Sequence, residues 1–264
     1  HTGYRFTGWS GNYTGVTRDE NVYATYQANS YRVIFHANDG SGRTSEESFV
    51  YGESKALRPM SRTGYVLKGW AESPDAIEPK YQPGEVVANL ATGGEVHLYA
   101  LWTPISYSVA FDANGGEGEM EPVSLDYDAA YIVPECAFTK TGCEFESWQV
   151  LVGGKAVTNF LAGTTVSNLT SEASGTVIFK ANWTGYYTIA FDKNGGEGEM
   201  VDEKVERDVG FQLPSNAFTR TGYDFTTWTT NLSASIKPTD LIADGATVTN
   251  LVAAGETCTL HALW

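Results

Sequence analysis

The sequence predicts a mainly β protein, α+β at most and with little helix, built as a tandem array of small modules. Three observations carry this. The stretch Phe111-Asp112-Ala113-Asn114-Gly115-Gly116-Glu117-Gly118-Glu119-Met120 returns almost letter for letter at Phe191–Met200, and a weaker copy occupies Phe35–Gly42. Phe35, Phe111 and Phe191 are 76 and 80 residues apart, and self-similarity at a fixed period defines the structural unit before any other pattern is considered. Short runs such as Tyr31-Arg32-Val33-Ile34-Phe35 alternate large apolar with other residues, as half-buried strands do, and no segment carries the long 3.6-residue apolar period of a long helix.

Taken in order, residues 1–28 read as the closing half of a module. Thr2-Gly3-Tyr4-Arg5-Phe6-Thr7-Gly8-Trp9 matches Thr63–Trp70, Thr141–Trp148 and Thr221–Trp228, and Val22–Tyr26 matches Leu98–Trp102. The chain thus opens in mid-module and is expected to be a fragment of something longer. Residues 30–103 form the first complete module. Its expected elements are strands at Tyr31–Phe35, Ser48–Gly52, Tyr65–Trp70 and Val96–Trp102, a short element at Gly84–Leu90, and a connection at Arg58–Gly64 with room for one helical turn. Residues 105–184 and 186–264 repeat the order. Thr103-Pro104 and Thr184-Gly185 separate complete modules, and linkers so short cannot act as flexible coils. A semi-rigid, elongated string is expected, sharing little core across each joint.

The formal charge is −15, from 17 basic and 32 acidic residues, so nucleic-acid backbones and anionic lipid surfaces would repel the chain. No signal peptide or apolar membrane-spanning run occurs. Cys136, Cys143 and Cys258 do not recur between modules, which excludes a disulfide framework; free thiols are expected, with a local Cys136–Cys143 pair as the alternative. No spacing resembles a zinc site, and no cofactor is implied.

Asn-Gly between alternating apolar runs is a hairpin signal, because both residues tolerate positive φ. The competing chemistry is calcium: Asp112, Asn114, Glu117 and Glu119, with Asp192 and Asn194 in the next copy, offer oxygens on a Gly-rich loop. The spacing is not that of an EF-hand, and His36 and Ser41 replace two of the acidic positions in the first complete module, which favours the turn. Trp70, Trp148 and Trp228, and likewise Trp102, Trp183 and Trp264, recur in strand-like surroundings where a core role outweighs a sugar-stacking platform. Tyr13, Tyr81 and Tyr186 lie outside that pattern and are the candidates for ligand contact. The four histidines share no module position, and no nucleophile elbow or phosphate loop is present, so no catalytic residue is assigned.

Four ordered motifs run through the modules: x-Tyr-x-Val-x-Phe-x-x-Asn-Gly-Gly, Arg/Lys-Thr-Gly-Tyr-x-Phe-x-x-Trp, Gly-x-x-Val-x-Asn-Leu and a closing Leu-Tyr-Ala-x-Trp. In one module they lie at Tyr107–Gly116, Lys140–Trp148, Gly163–Leu169 and Ala181–Trp183. This pattern resembles the Listeria–Bacteroides repeat, also called the internalin B-repeat, over essentially the whole chain. The resemblance implies a β-grasp-like module in arrays of secreted or cell-wall-attached bacterial surface proteins. There the repeats serve as stalks and in some members contact host or matrix components. It brings no catalytic residue, cofactor or general ligand motif. Cys143 in place of Tyr, Leu67 in place of Phe and the short first unit depart from it. The expectation is therefore a non-catalytic, extracellular spacer, a monomer within a longer multidomain chain. Direct binding of a glycan or a host or matrix protein by the modules is the alternative.

Overall fold

The computed structural model describes residues 1–11 and 14–264, so Tyr13 lies outside the described residues. The described chain is mainly β. Repeat 1 contributes β1 (Tyr4–Ser10) and β2 (Tyr23–Ala28). Repeat 2 contributes β3 (Ser30–His36), β4 (Thr44–Val50), β5 (Lys55–Ala56), β6 (Tyr65–Ala71), β7 (Val86–Val87) and β8 (Gly94–Pro104). Repeat 3 follows with β9 (Ser106–Asp112), β10 (Val123–Asp126), β11 (Tyr131–Ile132), β12 (Cys143–Val152), β13 (Lys155–Phe160) and β14 (Thr165–Val166). The strand β15 (Thr176–Asp192) closes repeat 3 and opens repeat 4, which adds β16 (Glu203–Glu206), β17 (Phe211–Gln212), β18 (Thr227–Thr229), β19 (Leu241–Ile242), β20 (Thr247–Val248) and β21 (Thr257–Leu263).

One sheet order is built three times: β4-β3-β8-β6, β10-β9-β15-β12 and β16-β15-β21-β18. The two central strands are parallel in each copy, β3 with β8, β9 with β15 and β15 with β21. A parallel pair needs a crossover connection, usually a helix. In repeats 2 and 3 the crossover carries strand and loop only, and an isolated Arg62–Tyr65 bridge stands at the end of Arg58–Gly64 rather than the helical turn for which the sequence left room. The one helical element among the described residues is a 3-10 turn at Pro238–Asp240, begun by the fixed φ of Pro238. No helix of the described residues is long and apolar enough to cross a membrane.

Alternation along each opening strand sends every second residue to one face, where it meets the repeat's tryptophan. Tyr31, Val33 and Phe35 pack with Trp70, Leu98 and Ala100; Tyr107 and Val109 with Trp148, Phe179 and Ala181; Tyr187 and Ile189 with Trp228, Leu260 and Ala262. Trp70, Trp148 and Trp228 are fully buried, each opposite an alanine of the closing strand, Ala100, Ala181 and Ala262. A small residue across the ladder leaves room for the indole, and losing such a ring costs about 3–5 kcal/mol. The three clusters are separate, one to a repeat.

The chain forms two compact units. One comprises His1–Ser106 with Asp126–Asp128 and Ser171–Ser174; the other comprises Tyr107–Leu125, Ala129–Thr170 and Gly175–Trp264. Inside the second unit β15 runs unbroken through Thr184-Gly185, so repeats 3 and 4 share one strand and one sheet. The three cysteines are free, with Cys258 buried and Cys136 and Cys143 half-buried; burial raises the thiol pKa of Cys136 and Cys258.

Candidate interaction site

Two sets of residues recur closely enough to be sites: the Asn-Gly-Gly turn and the Thr-Gly-Tyr segment. In the turn, Asn114 and Gly115 have φ of 50° and 80°, and Asn194 and Gly195 have 40° and 80°. Positive φ at both central residues is what the Asn-Gly pattern requires. The N–H of Gly116 donates to the Ala113 carbonyl at 3.0 Å, but the chain does not then fold back as a tight hairpin. It turns aside so that Glu117 exchanges backbone hydrogen bonds with Thr139, at 2.7 and 2.9 Å, and reaches β10 only afterwards. The expected two-strand hairpin is thus a three-way clasp in repeats 3 and 4. In repeat 2, where the glutamates are absent, Ala37 and Arg43 close a simpler loop.

The calcium candidates are engaged in this clasp. Asp112 accepts the N–H of Asn114 at 2.8 Å, and the Asn114 amide donates to the Ala181 carbonyl at 2.8 Å. Asp192 and Asn194 repeat this at 3.0 Å, with Ala262 as the acceptor at 2.8 Å. The N–H of Asn194, and then His261 at 2.6 Å, hold the Asp192 carboxyl below the ordinary range. No cluster of three or more His, Cys, Asp or Glu that could hold a metal occurs among the described residues.

The second tryptophan set clamps the clasp. The indole N–H groups of Trp102, Trp183 and Trp264 donate to the carbonyls of Ala37, Ala113 and Lys193, at 2.6, 2.8 and 3.1 Å. These rings are half-buried, at the rim of the core rather than within it. They also explain the second glycine of the motif. A Cβ on Gly116 would lie 2.8 Å from the Thr139 carbonyl oxygen and 2.9 Å from the Trp183 ring, and one on Gly196 would lie 2.6 Å from Trp264.

The Thr-Gly-Tyr glycines do a different job. A Cβ on Gly3 would meet the Tyr51 ring at 2.3 Å, and one on Gly64 would meet the Tyr127 ring at 2.3 Å, both within the first unit. Each ring lies on a glycine beside a second tyrosine, Tyr4 with Tyr51 at 5.6 Å and Tyr65 with Tyr127 at 5.8 Å between centroids. In the second unit Gly142 meets backbone instead, 2.0 Å from a would-be Cβ to the nitrogen of Gly255. The Tyr186 N–H donates to the Gly142 carbonyl at 2.7 Å, and the Gly255 N–H to the Tyr186 carbonyl at 2.8 Å. Sequence alone showed this glycine as a mark at the start of a strand. Its role as a contact between repeats left one signal, the invariance of a glycine where only a strand start was evident.

Of the tyrosines proposed for ligand contact, Tyr81 packs on the repeat 2 core and its hydroxyl donates to Glu72 at 3.2 Å. It is therefore not the free aromatic platform expected, because Gly69 lets its backbone pair closely with Trp70. Tyr186 is half-buried at the junction of repeats 3 and 4, where it lines an open cavity of about 270 Å³ with Cys143, Glu144 and Gly255. The Lys204 ammonium stands 4.3 Å over its ring and is ion-paired with Glu144. Such an arrangement can offer a cation, a carboxylate and an aromatic edge to a ligand, or simply fasten one repeat to the next. Tyr81 and Tyr186 fall in different units, each with its own surroundings.

The Listeria-Bacteroides repeat domain matches three times, over residues 31–101, 107–173 and 187–259. Two proteins of Evansella cellulosilytica are similar to the chain. One, named "Putative Gly-rich membrane protein", is 30% identical over 236 residues, 80% of this chain and 26% of its own length. The other, named "Putative membrane protein", is 27% identical over 209 residues, 78% of this chain and 29% of its own length. The chain thus spans little more than a quarter of the relatives it matches. With one match in each of the three complete repeats, the chain belongs to the Listeria-Bacteroides repeat family.

Proposed function

We propose that this is a non-catalytic repeat region of a bacterial cell-envelope protein, exposed outside the cell, where it serves as a semi-rigid spacer in adhesion. Family membership and the membrane-protein names of two relatives support the envelope location. One observation supports the spacer most: β15 passes from repeat 3 to repeat 4 without a linker, and Gly142 and Gly255 lock backbone to backbone beside it. A joint with no free residues cannot flex as a coil does. The polar groups that recur between repeats, Asp112, Asn114 and their copies, are spent on holding the clasp. Backbone ¹⁵N relaxation on the chain tests the stiffness. Repeats 3 and 4 should share one rotational correlation time, and a Gly-Ser insertion between Trp183 and Thr184 should separate them. Independent tumbling in the native chain would overturn the spacer.

A second reading rests on the cavity at Tyr186, as a contact for a glycan or a host or matrix protein. The Lys204 ammonium covers the ring face on which a sugar would stack, so a ligand must first displace it. Glycan-array and matrix-protein binding by the native chain and by Tyr186→Ala decides this. Binding lost in the variant supports a site here, and binding equal in both, or absent from both, removes it.

A further inference from the structure

The turn of repeat 2 carries different charges from those of repeats 3 and 4. Arg43 stands where they have Glu119 and Glu199, and Ser41 stands where they have Glu117 and Glu197. Further along, the Lys140 ammonium donates to the Asn114 carbonyl at 3.0 Å and the Arg220 guanidinium to the Asn194 carbonyl at 3.5 Å, so each cation is tied to its own turn. Arg62 holds their place in repeat 2, but there the tie is made by Arg43, which donates to the Ser61 carbonyl at 2.8 Å. Among the described residues the Arg62 guanidinium has neither hydrogen bond nor ion pair; it lies 3.6 Å over the Tyr65 ring. That ring is fixed in turn by the bond from its hydroxyl to Asp128. Five N–H donors are thus held in place with no protein acceptor. Arg62 lines an open cleft of about 580 Å³ with Asp39, Ser41, Arg43, Ser61 and Thr63. The Asp39 carboxylate in it is already engaged, accepting from the N–H and hydroxyl of Ser41 and pairing with Arg43, and its side chain is only 13% exposed. Arg43 uses Nη2 for its bonds to Asp39 and Ser61, which leaves its other donors to the cleft.

We propose that this cleft of repeat 2 binds a carboxylated sugar, a pyranose ring of the uronate type. A guanidinium is a planar fork that meets a carboxylate with two parallel hydrogen bonds. Arg62 supplies the fork, and Arg43 a second positive charge. The hydroxyls of Ser61 and Thr63 can donate or accept, which matches the hydroxyls of a sugar ring. Every residue lining the cleft is polar, so an apolar ligand finds no wall to pack on. A polyanion would meet the field of a chain at −15, whereas a single carboxylate meets two guanidiniums against one engaged carboxylate. The cleft belongs to the first unit and the Tyr186 cavity to the second, and the site does not rest on the spacer reading.

The test titrates the ¹⁵N-labelled 264-residue chain with sodium glucuronate and follows backbone amides and arginine Nε–Hε groups. Saturable shifts are expected at Arg62 and across Ser41–Arg43, with a Kd about fivefold or more below those for glucose, acetate and sulfate. Arg62→Gln and Arg62→Lys, the second of which keeps the charge but loses the fork, should each weaken glucuronate binding by about fivefold or more. Arg220→Gln, at the matching place in repeat 4, should bind as the native chain does. Dispersed amide spectra confirm that each variant is folded. Absence of a saturable shift would overturn the proposal. So would acetate or sulfate binding as tightly as glucuronate, which would leave a plain oxyanion contact, native affinity in either Arg62 variant, or an equal loss in Arg220→Gln.

Discussion

Gly142 and Gly222 hold the same motif place in consecutive repeats, each directly after a threonine, with φ of 69° and 80°. Their surroundings differ completely. A Cβ on Gly142 would lie 2.0 Å from the nitrogen of Gly255 and 2.3 Å from the carbonyl carbon of Ala254, whereas one on Gly222 would meet nothing within 4 Å. Conformation demands glycine at both; space demands it only where a following repeat presses on the site. One motif therefore carries two constraints, and only their difference reveals the joint.

The largest expected effect separates those constraints. Gly142→Ala adds a backbone clash to the left-handed strain, and should cost about 2–4 kcal/mol of stability in the second unit. Gly222→Ala carries the strain alone, about 1 kcal/mol. Urea unfolding followed by tryptophan emission measures both. Equal costs would mean that the Gly142–Gly255 contact is slack, and the stiff joint would lose its main support.

Next in size is a version of the same comparison inside one turn. Gly115 has φ of 80° with only the end of the flexible Lys140 side chain near a would-be Cβ, while Gly116 has ordinary φ but is crowded by Thr139 and Trp183. Gly116→Ala should cost about 1–3 kcal/mol from crowding, and Trp183→Phe should recover part of it, since the smaller ring withdraws from the site. Gly115→Ala should cost about 1 kcal/mol, with no recovery from the tryptophan change. Recovery in both, or in neither, would show that φ and packing are not separable here.

These glycines mark how far the sequence could be read. Its period placed the repeats, and alternation identified the opening and closing strands, because both signals are local. Asn114 was legible as a turn residue, but not its amide bond to Ala181, 67 residues away. Trp148 was legible as core, while Trp183 was not legible as a clamp, because burial patterns do not show where an indole N–H points. Tyr186 looked like a free aromatic because Lys204 and Glu144, which flank it, come from distant strands.

Smaller effects test whether repeats 3 and 4 are equivalent where no neighbour intrudes. Asn114→Gly and Asn194→Gly keep positive φ available and remove one amide-to-carbonyl bond each, at 2.8 Å in both copies. Each should cost about 0.5–1.5 kcal/mol, and the two should agree. If the clasp is held by these bonds alone, added calcium or a chelator should leave the unfolding midpoint unchanged in both. A calcium-dependent rise that Asp112→Asn and Asp192→Asn abolish would instead restore the metal loop.

The smallest effect is a difference written in the repeats' own side chains. Asp192 faces His261 across the parallel pair, while Asp112 faces Lys180. The Asn194 N–H and His261 hold the Asp192 carboxyl below its ordinary value, so the unfolded chain takes up the proton first as pH falls. The stabilisation is complete above the unfolded value of about 3.9 and is lost as pH drops through the depressed folded value. The Asp192 side chain is 41% exposed, so solvent and salt screen much of the effect. Acid unfolding of Asp192→Asn, which keeps the shape of the group but cannot titrate, should show a shallower loss of stability below about pH 4 than the native chain. Identical acid limbs would mean that the Asp192–His261 pair is as open to water as any surface carboxylate, and that repeats 3 and 4 differ only through the joint at Gly142.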